Sequence, residues 1–140
     1  MYCSIDEMVE VFSLATMIQI SQRPGTDRTQ LNEPVIEKAI KDASAEINMY
    51  LDSRGLLPVT DIPEILTRIC CDIAFYYLHL KPNAEGAVTL AYKTRVRQLE
   101  KIASGALSLG LTQSGQVTEP EDVVIFNPGR NVWRNDKGVW

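Results

Sequence analysis

A single histidine and three cysteines in 140 residues leave little from which to build catalytic or metal chemistry. His79 has no second histidine to complete a metal site, and a lone imidazole makes a Ser-His-Asp hydrolase hard to assemble. It lies beside Tyr76 and Tyr77 and reads as a packed or half-exposed side chain. Cys70 and Cys71 are adjacent rather than spaced as CxxC, which fits neither a zinc ribbon nor a thioredoxin-like motif. Free cysteine behaves as a small core hydrophobe, so Cys70 is expected inside and Cys71 at the edge of the core. The odd cysteine count makes no disulfide framework and favours a reducing compartment. No GxxxxGK pattern is present, and the turn-rich stretch 22–33 lacks the alternating oxygen ligands of a calcium loop. The expectation is therefore no enzyme, no cofactor and no metal.

Long apolar runs are missing too. The most apolar stretch, Ile62–Leu80, is too short for a bilayer and is broken by Glu64, Arg68 and Asp72. The chain does not open on a basic segment followed by an apolar one, so no signal peptide and no membrane partner are expected. Excess positive charge is also lacking. Lys and Arg number 14 against 18 Asp and Glu, a formal net charge of −4, which gives no global attraction to nucleic acid.

What is present is helical periodicity. At 45% hydrophobic the chain holds enough apolar material for one core. Ile62, Ile65, Leu66, Ile69, Cys70, Ile73, Ala74 and Tyr77 recur at helical spacing, and Cys71, Phe75, Tyr76 and Leu78 make the other side apolar as well. A helix apolar on most sides needs neighbours on most sides, so this one is expected at the centre of a bundle. Asp61 is the predicted cap, Pro63 suits the first turn, and Pro82 marks the predicted end.

Before it, Ser4 and Glu7 have capping-box spacing ahead of Val9, Val11 and Phe12, and Ser13 precedes Leu14, Met17, Ile18 and Ile20. Two short helices are predicted there. Asn32 is predicted to cap a long helix whose buried stripe runs through Val35, Ile36, Ala39, Ile40, Ala43, Ile47, Tyr50 and Leu51. Glu37 and Lys41 pair on its outside, and Gly55 ends it. The apolar connector 56–59 is expected to pack over the bundle end. A third long helix is predicted from about Ala84 to Ser104, with Val88, Ala91, Tyr92, Val96, Leu99, Ile102 and Ala103 inward, closed by Gly105. Its outer face carries Lys93, Arg95, Arg97, Glu100 and Lys101, the most basic surface of the chain. A run of charge on a helix is usually a solvated face, but Lys93, Arg97 and Lys101 are also the candidate contacts to DNA.

The fold class that follows is all-α: three long helices plus short N-terminal ones, with an extended C-terminal tail able to form a short strand or hairpin. The division is a helical bundle over 1–111 and a linker and arm over 112–140. Residues 112–122 are polar and turn-rich, and Val123–Phe126 is a brief β-branched run. Both tryptophans lie in the last eleven residues, a composition that disorder does not favour. Arg130, Val132, Trp133, Arg134 and Trp140 are therefore the candidate subunit contacts, because Arg and Trp are enriched at the energetic centres of interfaces. Folding back onto the chain's own helices is the alternative for the same residues.

Several stretches resemble a protein family of Mu-like phages and prophages. They are the opening Met1-Tyr2 with Ser4, Met8 and Val9; the run Lys41–Leu51; the segment from Pro63 through Cys71, Asp72, Ile73, Ala74, Tyr76 and Leu78; and Leu99–Gly105. The closing Gly129, Arg130, Val132, Trp133, Arg134, Asp136, Gly138 and Trp140 is similar to that family's ending, with tryptophan where phenylalanine is usual and Asp136 displaced by one position. The family's helical arrangement is similar to head–tail connector, or neck adaptor, proteins of tailed phages. The resemblance implies a structural subunit in a homo-oligomeric ring beneath the portal. It would touch the portal and a tail-side adaptor, with DNA passing through the channel. The protein would be found in host cytoplasm during assembly and then in the virion. The rival reading is a small DNA-binding regulator that uses the basic face of the third long helix.

Overall fold

The computed structural model describes residues 1–110. Its elements are all helical: α1 (Ile5–Phe12), α2 (Leu14–Ile20), α3 (Glu33–Asp52), α4 (Glu64–Leu78) and α5 (Ala87–Ser104). The expected all-α bundle is what forms, with no strand among the described residues. The proposed strand or hairpin of the tail lies outside them.

The two short helices start where serine predicts. Ser4 Oγ accepts from the Glu7 amide at 3.2 Å, and Ser13 Oγ accepts from the Thr16 amide at 3.3 Å. Ser13 both ends α1 and starts α2, at φ +78°, a conformation uncommon for a residue with a side chain. Asn32 precedes α3 as expected but caps it without its side chain. Its carbonyl accepts from the Val35 and Ile36 amides, while its own N–H donates to Ser21 Oγ. α3 ends in a Schellman arrangement around Gly55 at φ +67°, where the Leu56 amide reaches Leu51 O and the Gly55 amide reaches Asp52 O. The i,i+4 ion pair on α3 is Lys38–Asp42 at 2.8 Å, not the expected Glu37–Lys41.

α4 is the central helix, packed against α1, α3 and α5. Its boundaries and buried face differ from the periodicity reading. Pro63, extended at ψ 147°, occupies the cap position in place of Asp61, and the helix stops at His79 rather than running on to Pro82. Leu66, Ile69, Cys70, Cys71, Ile73, Ala74 and Leu78 are buried, while Ile62, Ile65 and Tyr77 are exposed. On a helix apolar nearly all round, periodicity does not choose the covered face. The neighbours do, and here they cover Cys71 completely. Each large apolar side chain buried this way stabilises by roughly 1.5–3 kcal/mol.

The pairs Asp72–Arg95 and Tyr76–Tyr92 set α5 antiparallel to α4. α5 begins three residues later than predicted. Asn83 holds a turn first, its Oδ1 accepting from the Glu85 amide and its carbonyl from Thr89 Oγ. Thr89, Leu99 and Ile102 are its buried residues, and Ala91, expected inward, is exposed. The connector residues Leu56, Leu57 and Val59 pack against the core as expected. α1 and α2 contribute Met8 and Met17, both fully buried, so the N-terminal pieces belong to the same core. Tyr2 and Cys3 are buried as well, with the Tyr2 amide donating to Ser44 Oγ at 3.2 Å and its hydroxyl to Asn48 Oδ1.

Candidate interaction surface

The outer face of α5 is built by its inner one. With Tyr92, Leu99 and Ile102 turned to the core, helical spacing brings Leu90, Lys93, Thr94, Arg97 and Lys101 onto one outward stripe. All five are exposed, Leu90 at 54%. Arg95 was expected on this basic face and is not there. Its Nε donates to Asp72 Oδ2 at 2.6 Å, its Nη1 to Gln98 Oε1 at 2.9 Å, and its side chain is only 18% exposed. The stripe therefore keeps three cations, Lys93, Arg97 and Lys101, beside the exposed Glu100.

Beside this stripe, one carboxylate ties three helices together. Glu46 of α3 accepts from the hydroxyl of Tyr77 on α4 and, at 3.1 Å, from that of Tyr92 on α5. Tyr76 stacks on Tyr92 with ring centroids 4.2 Å apart. Tyr77 and Tyr92 are thus rim residues with bonded hydroxyls, as amphipathic rings at a core edge should be. Burial first, then the Glu46 carboxylate, pushes the Tyr77 and Tyr92 hydroxyls above their usual range. Burial also raises Tyr2. The sign follows directly. Above about pH 10 the unfolded chain gives up protons that the folded form retains, so stability present below that value is lost as pH rises. The urea midpoint should fall between about pH 9 and about pH 11, and Tyr77→Phe should lessen that fall. An alkaline loss unchanged in Tyr77→Phe would rule this hydroxyl out as a source.

His79 is half-buried, as expected: Nδ1–H donates to Phe75 O at 2.8 Å, and the ring meets Phe75 edge-on. Phe75 in turn stacks on Phe12 at 3.9 Å. The three cysteines are free and buried. Cys3 Sγ donates to Cys70 Sγ at 3.3 Å, which raises the Cys3 thiol and lowers that of Cys70. Among the described residues no group of three or more His, Cys, Asp or Glu side chains is arranged to hold a metal ion. No described helix is long and apolar enough to cross a membrane.

Between α1 and α4 lies an open cleft of about 500 Å³. Glu7, Glu10 and Glu64 stand around it with Arg68, and Val11 and Ile62 supply apolar walls. Glu7 Oε2 is buried there without a hydrogen-bond partner among the described residues. Nothing in the sequence pointed to this cleft, because its two sides lie more than fifty residues apart in the chain. The candidate contacts Arg130, Val132, Trp133, Arg134 and Trp140 lie outside the described residues.

A family model described as "Bacteriophage Mu, Gp36" matches residues 2–127 of this chain. The chain belongs to that family. A Haemophilus influenzae relative, "Mu-like prophage FluMu protein gp36", is 34% identical over 133 residues, covering 95% of this chain and 92% of its own length. "Gene product J" of Escherichia phage Mu is 34% identical over 139 residues, covering 98% and 97%. The Gp36 match takes in all five helices and stops before Arg130, whereas the alignment with gene product J covers nearly the whole chain. The resemblance read from the sequence to a family of Mu-like phages and prophages is therefore correct.

Proposed function

We propose that this chain is a structural, non-catalytic virion subunit, a head–tail connector or neck adaptor that assembles as a ring beneath the portal. Membership of the Mu Gp36 family carries the reading. The geometry is compatible with it. A cross-tied bundle is rigid enough to act as a ring element, and the Lys93, Arg97, Lys101 stripe is free of packing duties. In a ring, that stripe is available to DNA passing through the channel or to an acidic neighbour. The partners are then further copies of the chain, the portal and a tail-side adaptor. The protein is present in host cytoplasm during assembly and afterwards in the particle, with no cofactor required.

The alternative, a DNA-binding regulator, rests on the same three cations. Three phosphate contacts fall well short of the roughly 6–10 that give a protein strong salt-dependent binding to duplex DNA. With Arg95 withdrawn into an ion pair, the face lacks a fourth. The connector reading is the stronger one.

Truncation after Gln116 tests it. The helical circular dichroism and thermal midpoint of the bundle should be retained, while heads and tails in a lysate fail to join and infectious titre collapses. Normal particles assembled with the truncated subunit would overturn the proposal.

A further inference from the structure

The α1/α4 cleft has a definite chemistry. Glu7, Glu10 and Glu64 outnumber Arg68, so the cleft carries net negative charge, and Val11 and Ile62 give it an apolar lining. Glu7 Oε2 is withdrawn from solvent with no donor among the described residues, a costly environment for a carboxylate oxygen. Ile62, just before α4, and Ile65, in its first turn, are both exposed. By contrast, the cleft at Glu37, Lys38, Lys41 and Asp42 balances its own charges. An occupant of the α1/α4 cleft should combine guanidinium or ammonium groups with large apolar rings.

Residues 130–140 have that composition. Arg130, Arg134 and Lys137 outnumber Asp136, and Trp133 and Trp140 are the only tryptophans in the chain. The connection is also possible. The cleft is formed by the N-terminal half of α4, and the described chain leaves at Gly110, just beyond the C-terminal end of α5. Because α4 and α5 run antiparallel, these lie at the same end of the bundle. Residues 111–129 then separate Gly110 from the arm, a length whose covalent limit is roughly 60 Å, enough to leave one subunit and reach the next.

We propose that the cleft between α1 and α4, lined by Glu7, Glu10 and Glu64, receives the Arg130–Trp140 segment of a neighbouring copy of this chain. The inference rests on the ring reading above and gives its subunit contact a receptor. The contact is heterologous, arm to cleft, the type that closes into rings when the rotation permits. An arginine fork on Glu7 or Glu64 makes charge-assisted bonds, and a tryptophan against Ile62 removes apolar surface from water.

Because both tryptophans lie in the arm, intrinsic tryptophan emission of the full chain reports on the arm alone. Emission should move to the blue, and acrylamide quenching should fall, over the same concentration range in which sedimentation shows self-association. The double variant Glu10→Lys, Glu64→Lys changes two exposed positions and leaves the core intact. It should lose the blue shift and weaken self-association by about tenfold or more, the scale of a close charge pair. Adding Arg130→Glu and Arg134→Glu to the same chain should restore both. Emission unaffected by the cleft variant would overturn the proposal. So would a blue shift already complete in the dilute monomer, which means the arm occupies its own subunit. Either result leaves the connector reading standing if truncation after Gln116 still blocks joining. Normal particles from that truncation would remove the connector reading whatever the fluorescence shows.

Discussion

Ile69→Ala is expected to lower the free energy of unfolding by about 3 kcal/mol and the thermal midpoint by about 10 °C. Ile69 has no exposure and lies in the single core shared by α4 and its neighbours. Truncation removes three buried carbons and leaves a void that a close-packed interior fills only in part. Against a typical stability of roughly 5–15 kcal/mol, that is a large fraction. Ile65→Ala, one turn earlier, is the control. Ile65 is 39% exposed, so its loss should change stability by about 0.5 kcal/mol or less, partly offset by the better helix propensity of alanine. Periodicity alone puts both isoleucines on one buried face, and urea denaturation of the two variants separates that reading from the observed packing. Equal losses at 65 and 69 would mean that α4 is rotated from the position described.

Asp72→Ala should cost about 2–3 kcal/mol, because it leaves the largely buried Arg95 guanidinium without its carboxylate. The two side chains are 15% and 18% exposed, with Nε 2.6 Å from Oδ2, and Gln98 supplies only one neutral acceptor in compensation. Arg95→Ala should cost a similar amount, since it leaves the equally buried Asp72 carboxylate without its guanidinium. The double variant should then be less destabilised than the two single losses added together, with a coupling of about 1–2 kcal/mol. Additive losses would reduce the ion pair to an incidental contact. The exposed pair Lys38–Asp42, at 75% and 50% exposure, should by comparison contribute no more than about 0.5 kcal/mol.

Much of this fold was legible in the chain because its signals are local. Ser4 and Ser13 start α1 and α2 through hydroxyls that accept from amides three residues on, and Gly55 and Gly105 end α3 and α5 by adopting positive φ. The apolar stripe of α3 is narrow enough that the reading of its buried face holds from Ile36 to Leu51. α5 was harder. Its three outward cations are legible, but Arg95 reads like them, since nothing near it in sequence reveals a carboxylate 23 positions away. The Glu46 bridge and the α1/α4 cleft left no trace for the same reason. Glu46 looks like any polar residue at the edge of a helix, and Glu7, Glu10 and Glu64 look like ordinary surface charge.

The sequence by itself determined the number, order and approximate ends of the helices, the single core, and the poverty of catalytic and metal-binding side chains. Caps, glycine stops and 3.6-residue periodicity act within a few residues of where they stand, so they can be read without knowing the neighbours. Only the tertiary structure decided which side of α4 is covered, that Cys71 rather than Ile65 is inside, and that Arg95 turns inward to Asp72. On a helix apolar nearly all round, every rotation buries hydrophobic surface. The choice among rotations is made by the shapes and charges of helices α1, α3 and α5.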